Sequence, residues 1–182
     1  MEMRIAGHSL CALAFGAALG VLASQARADD AACQAVIEAV IKQASVPVHQ
    51  KITIESAAAP GKPIQSEVIH VGDTLYMQVR GQWTARPYDR RKVAEDTRQV
   101  MLKAEHSCTR VRSEAVDGQT AELYSVQSKS ATGNTDSQVW ISSATGLPLR
   151  QHTVVLEQGT TKMQHDVRFD YANVQAPSGV AR

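Results

Sequence analysis

The chain has 182 residues and a formal net charge of +1, from 19 basic and 18 acidic side chains. That length suits one domain or two small ones. A content of 20% charged and 43% hydrophobic residues suits a folded globular protein and excludes a disordered one. The charge balance excludes a generally basic nucleic-acid binder, and three cysteines are too few for a disulfide-dense scaffold.

The first segment carries Arg4, then an apolar run from Leu10 to Ala23, then the small-residue site Ala26-Arg27-Ala28. That order predicts a secretory signal peptide over residues 1–28, cleaved after Ala28. The run is too short to span a bilayer comfortably, and no later stretch is long and apolar enough. The expected product is an exported protein in a bacterial periplasm, with no transmembrane segment after cleavage. Removing 28 of the 182 residues leaves 154, with basic and acidic side chains in balance. Lipid anchoring at Cys33 is disfavoured, because Asp30 stands where the anchoring signal needs an aliphatic residue. Cys11 lies inside the apolar run, too early to serve.

Cleavage removes Cys11 and leaves Cys33 and Cys108. Two cysteines in an oxidising compartment usually pair; the alternative is two separate buried thiols. The closed loop is long, so the chain-entropy model gives roughly 4 kcal/mol at most. No C-x-x-C spacing marks a catalytic redox pair.

In chain order, Asp29 or Asp30 is positioned to cap a helix running to about Ala44, where Pro47 ends it. Val36, Ile37, Val40, Ile41 and Ala44 form its apolar stripe, and Cys33 lies on the same stripe. His49–Ser56 alternates with Ile52 and Ile54 on one face and reads as a strand. A Pro/Gly loop over 57–63 leads to strands over Ile64–Val71 and Thr74–Arg80, joined at Gly72-Asp73, with Leu75, Met77 and Val79 on one face. Gly81-Gln82-Trp83 closes this meander, and Thr84–Tyr88 reads as a connector. A second helix spans Asp89 to about Glu105, with Val93, Thr97, Val100, Met101 and Ala104 as its stripe. Cys108–Val116 and Gln119–Lys129 form a hairpin around Asp117-Gly118. A polar loop over 131–136 precedes strands at Gln138–Ser142, Leu149–Glu157 and Lys162–Ala172. Residues 178–182 read as a loose tail.

These elements make one α+β domain over residues 29–177, with about eight antiparallel strands and two helices. Each strand has one clearly apolar face. Such a sheet must curl, and the helices must cover its apolar side. The expected architecture is an open, half-closed antiparallel β-barrel covered by two helices.

Three stretches carry a resemblance. Val71-Gly72-Asp73-Thr74-Leu75-Tyr76 leads to Gly81-Gln82-Trp83. Val139-Trp140-Ile141 is followed by Thr145-Gly146-Leu147-Pro148-Leu149-Arg150. Arg168-Phe169-Asp170-Tyr171 precedes Val174 and Pro177. Together they resemble the LolA/LppX-like superfamily of bacterial periplasmic lipid- and lipoprotein-binding proteins, over most of the expected mature chain. The resemblance implies an unclosed barrel around a hydrophobic cavity, in proteins that carry lipids or lipoproteins or sense envelope state. The chain departs from the lipoprotein carriers in its seven aromatic residues beyond residue 28, where the carriers have many more. No position here matches the arginine that gates the carriers' cavity. A divergent relative fits better than a true lipoprotein carrier.

No constellation supports an enzyme. G-x-S-x-G, a phosphate-binding glycine loop and a nucleophile with an adjacent base are all missing. His49, His70, His106, His152 and His165 show neither H-x-x-x-H nor H-x-H spacing, so no metal and no cofactor is expected. His70, His152 and His165 fall in strands and could still converge in space.

Two sets of residues are candidates for binding. Ile52, Ile54, Leu75, Met77, Val79, Trp83, Val100, Met101, Val167 and Phe169 line either a cavity or a filled core. Arg86, Arg90, Arg91 and Lys92 concentrate cations around the start of the second helix, where the helix dipole disfavours them, and are candidates for an anion or a lipid headgroup. The leading expectation is a non-enzymatic periplasmic protein that binds an apolar or lipid-like ligand in a half-barrel cavity, in envelope lipid or lipoprotein handling. The alternative is an envelope interaction or sensory protein with a filled core, acting through contact with a protein partner.

Overall fold

The structure is a computed structural model and describes residues 20–103, 105–130 and 133–181. Arg4, Cys11 and the apolar run as far as residue 19 lie outside the described residues. The described elements are α1 (Gly20–Ala44), β1 (Val48–Ser56), β2 (Ile64–Val71), β3 (Thr74–Val79), β4 (Gln82–Pro87), α2 (Arg90–Lys103), β5 (Glu105–Val116), β6 (Gln119–Ser130), β7 (Gly133–Ser142), β8 (Pro148–Glu157), β9 (Thr160–Asp170) and β10 (Val180–Ala181). α1 begins before the expected cap at Asp29 or Asp30 and runs through the expected cleavage point.

All ten strands form one sheet in the order β10-β4-β3-β2-β1-β9-β8-β7-β6-β5. Neighbours are antiparallel except β10, which runs parallel to β4. The two margins do not pair with each other among the described residues, so the sheet is an open half-barrel with two helices, as expected.

Two-residue turns set the register. Arg80 and Gly81 both have positive φ, at 52° and 79°, as do Asp117 and Gly118, at 49° and 81°. A hairpin turn with two left-handed central residues matches the right-handed strand twist. The first of these turns folds β4 back on β3, with Val79 opposite Gln82. The stretch from Thr84 is therefore strand and not a connector. Its alternation of side chains is weak because β4 is largely exposed, and Pro87 sits at its end, where a missing N–H is tolerated.

Two further differences have the same origin. β6 and β7 extend to Ser130 and from Gly133, so most of the expected polar loop is a long hairpin of polar strand residues. Val180–Ala181 pair with Trp83–Thr84, so residues expected as a loose tail close the β4 margin. Hydrophobic alternation reports burial, and these segments pair without being buried.

Cross-strand partners share a face, so register sorts the sheet into an inner and an outer side. α1 packs on the inner side, chiefly against β5 with β6, β7 and β8 beside it. Ala32, Val36 and Ala39 meet Cys108, Tyr124, Val126, Val139 and Ile141 there. A disulfide joins Cys33 to Cys108 and fastens α1 to β5. The Lys42 Nζ donates to the Thr145 carbonyl at 2.5 Å, tying the end of α1 to the β7–β8 turn.

A second, smaller core lies on the outer side: Val116, Ala121, Leu123, Trp140 and Leu149. The Trp140 indole N–H donates to Glu114, and the Arg150 guanidinium lies 4.9 Å from the Trp140 ring centre. This hydrogen bond, then the Arg112 contact, holds the Glu114 carboxyl below the usual range.

Candidate functional site

The inner face divides into two halves. α1 fills the β5–β8 half. The other half, formed by β1, β2, β3 and β9, carries an apolar strip. Ile52 stands opposite Val167 and Ser66, and Ile54 opposite Ile64 and His165. Val68 faces Met77, His70 faces Leu75, and Gln50 faces Phe169. Register therefore brings Ile52, Ile54, Leu75, Met77, Val79, Val167 and Phe169 to one side of the sheet.

None of these seven is fully buried. Val79 is 55% exposed, and Ile64, on β2 at the same face of the sheet, is 61% exposed. The strip is half-buried along most of its length and exposed at its rim. On its β8 side it meets a hydroxyl pair, Ser137 and Thr153, whose oxygens are 2.9 Å apart.

Three candidates fall elsewhere. Trp83 pairs with Gln78, out of phase with Met77 and Val79, and so lies on the outer side. Its place near a strand end hid its phase, because the turn at Arg80-Gly81 resets the alternation. Val100 and Met101 lie on α2, where Val100 is 65% exposed and Met101 half-buried. Sequence reasoning missed Ile64, Val68 and Met163, which the period-2 pattern of β2 and β9 also assigns to the inner face.

A cleft of about 690 Å³ opens at the end of the sheet where α1 stops and α2 starts. Ser45, Asp73, Pro87, Tyr88, Asp89, Arg90, Arg91 and Ala94 line it. Asp89 caps α2, accepting the Lys92 backbone N–H at 3.0 Å. Arg90 lies 3.9 Å from Asp73, a loose ion pair, while Arg91 makes no ion pair among the described residues. Lys92 turns along the helix to Asp96 at 2.8 Å, which raises its pKa. Arg86 stands on β4 opposite Leu75, on the inner side of the sheet. Of the four cations grouped by sequence, Arg90 and Arg91 meet at the cleft.

Behind the cleft wall lies His70, 2% exposed, with its ring centre 3.9 Å from that of Tyr88. Neither His70 ring nitrogen reaches a partner at hydrogen-bonding geometry. Burial, then the nearby Arg90 charge, pushes its pKa down; the backbone of Gly72 and Val46 and the Asp73 carboxylate oppose this in part. Burial raises the Tyr88 hydroxyl.

The histidines do not converge. His70 and His165 share the inner side, but they face Val48 and Ile54 of β1, six residues or about 20 Å apart. His152 lies on the outer side, 3.8 Å from Asp166, and His49 lies 2.6 Å from Glu67. Among the described residues no group of three or more His, Cys, Asp or Glu is placed to hold a metal ion. No described helix is long and apolar enough to cross a membrane.

The fold, an open half-barrel with two helices, is shared with solved structures. No protein-family model and no curated protein matches the chain. Among solved structures it is similar to LprF from Mycobacterium bovis, at 15% identity and a TM-score of 0.50, over 84% of this chain and 98% of that one. It is also similar to MucB in its complex with MucA(peri), at 15% identity and a TM-score of 0.51, over 82% of this chain. The match spans 60% of the MucB chain. A LolA superfamily protein, NE2245 from Nitrosomonas europaea, is matched at 9% identity and a TM-score of 0.33, over 79% of this chain and 91% of that one. Likenesses this distant describe the fold and not the ligand.

Proposed function

We propose that the protein is an exported, periplasmic binding protein for an apolar or lipid-like ligand, without catalytic activity of its own, acting in envelope lipid or lipoprotein handling. The observation that carries this reading is the half-exposed apolar strip on the inner face. A filled core would bury Ile52, Ile54, Met77 and Val167, and all four remain half-open. An acyl chain laid along the strip would gain about 0.8 kcal/mol per buried methylene. Arg90 and Arg91 would meet an anionic headgroup at the cleft. The Cys33–Cys108 disulfide supports an oxidising compartment. A second reading, a protein partner seated on the same strip, draws support from the fold shared with MucB, which is solved in complex with MucA(peri).

Native mass spectrometry of protein purified from periplasm tests the first reading. Extra mass that disappears on organic extraction and is identified as lipid is the expected result. Ile64→Glu with Val79→Glu should lower the lipid-loaded fraction at unchanged fold, because both side chains are exposed. Arg90→Gln with Arg91→Gln should weaken binding to vesicles containing anionic phosphatidylglycerol more than to neutral ones. A bare wild-type chain that takes up no lipid from either vesicle would refute the reading.

A further inference from the structure

α2 bridges the open side of the half-barrel. It leaves β4 near one margin of the sheet and delivers the chain to β5 at the other. Its fourteen helical residues span about 21 Å. Its main packing partner is α1, and Val100 on it remains largely exposed. The helix is held by α1 and at its two ends. At the C-terminal end, His106 Nε2 lies 3.0 Å from the Met101 carbonyl oxygen. At the N-terminal end, the Tyr88 ring packs on His70, its N–H donates to the Asp73 carbonyl at 2.8 Å and its hydroxyl to the Ala44 carbonyl at 3.5 Å, and Arg90 is loosely paired to Asp73.

His70 is an unusual seat for that ring. It is buried, and both of its nitrogens lack a partner at hydrogen-bonding geometry. From β1 and β3 it faces Val48 and Leu75, which are apolar. The titratable and charged groups around it are Tyr88, Arg90 at the start of α2, and Asp73 in the β2–β3 turn. The backbones of Gly72 and of Val46, just past α1, face the ring and partly favour the imidazolium. The one carboxylate there is 92% exposed at its side chain and already shared with Arg90.

We propose that His70 is a proton-operated latch: its neutral ring seats Tyr88 and holds the N-terminal end of α2 down, and its protonation releases that end. The consequence, acid-triggered access to the strip, rests on the strip being the ligand site. The thermodynamics are those of linked equilibria. With α2 seated, burial and Arg90 disfavour the imidazolium. With α2 lifted, water reaches the ring and His70 returns to its ordinary value near 6.5. Between those two pKa values the opening constant rises about tenfold for each pH unit lost. Tyr88 does not titrate in this window, since burial moves its hydroxyl upward.

Hydrogen exchange of the α2 amides between pH 5 and 8, corrected for the intrinsic rate, tests the latch. The β6 and β7 amides serve as an internal reference. Protection of α2 should be flat above about pH 6.5 and fall below it, by at most about tenfold per pH unit. His70→Gln should abolish the pH dependence. Arg90→Gln removes a nearby cation from the seated state, so the fall in protection should level off at a higher pH and be smaller, with its onset still near pH 6.5. This second variant keeps the test open if His70→Gln does not fold. Flat protection in the wild type, a pH dependence that survives His70→Gln, or an undiminished fall in protection in Arg90→Gln would each overturn the latch. Native mass spectrometry on the same samples separates it from the function reading. Lipid lost in step with α2 protection supports both, and lipid retained while α2 opens overturns the regulatory consequence. A chain that carries no lipid at any pH overturns the function reading while the exchange data still decide the latch.

Discussion

Reducing the Cys33–Cys108 disulfide should cost this domain a large share of its stability. The bond closes a loop of 75 residues. In the chain-entropy model a loop that long removes about 4.5 kcal/mol of conformational freedom from the unfolded chain. A domain of this kind has only about 5–15 kcal/mol in total. With a urea m-value of about 2 kcal/mol/M, the midpoint should fall by about 2 M on reduction. Reduction is the cleaner perturbation, because it leaves both sulfurs in place in the Val36–Val126 cluster. Cys33→Ala with Cys108→Ala adds the loss of packing around Cys108, which is only 2% exposed. The assay is urea unfolding followed by Trp140 fluorescence and far-UV circular dichroism, with and without reductant. Oxidised and reduced midpoints within about 0.5 M at equal m would refute the reasoning. The unfolded chain would then be compact enough that the cross-link removes little from it.

Two further outcomes follow from the cores and charges. Leu123→Ala removes a side chain 1% exposed from the outer core and should cost about 2–5 kcal/mol in urea unfolding, whereas a cost below 1 kcal/mol would mean that the second core is not packed as described. Glu114 has a folded pKa below its unfolded one, so its contribution is present above about pH 4.5 and is lost as pH falls through the folded value. Glu114→Gln should therefore flatten the acid limb of the urea midpoint between pH 3 and 6, and an unchanged limb would assign acid lability to other carboxylates.

Much of the scaffold was legible in sequence because period and turn chemistry agree there. β1 and β3 alternate cleanly, and register brings their apolar sides together with those of β2 and β9. The Cys33–Cys108 pairing was legible from compartment and from the helical stripe that aims Cys33 inward. Strands without burial were not legible. β4 pairs along its whole length with β3, yet only Trp83 among its residues is not largely exposed, so no alternation marks it. Missing β4 also misplaced Trp83, since the side of a residue follows from register and not from its hydrophobicity. The seating of His70 under Tyr88 was invisible for another reason. The two residues are eighteen positions apart, and only the return of β4 along β3 carries Tyr88 back to the end of β2.

The division of the inner face explains why one fold can be stable and still leave an apolar surface open. The disulfide, the α1 stripe and the outer Trp140 cluster concentrate the buried residues on the β5–β8 half. The β1–β3 half is held mainly by its ladder and its turns, with Ile69, Val48 and His70 the fully buried residues there. Apolar area left in water forgoes about 25 cal/mol per Å², so the open strip is stability withheld from folding. The same area becomes available when a ligand covers it. Tying one half of the sheet and leaving the other half open should concentrate motion outside the tied half. The stable half then needs no rearrangement when a ligand covers the strip, and exchange protection should divide along that line.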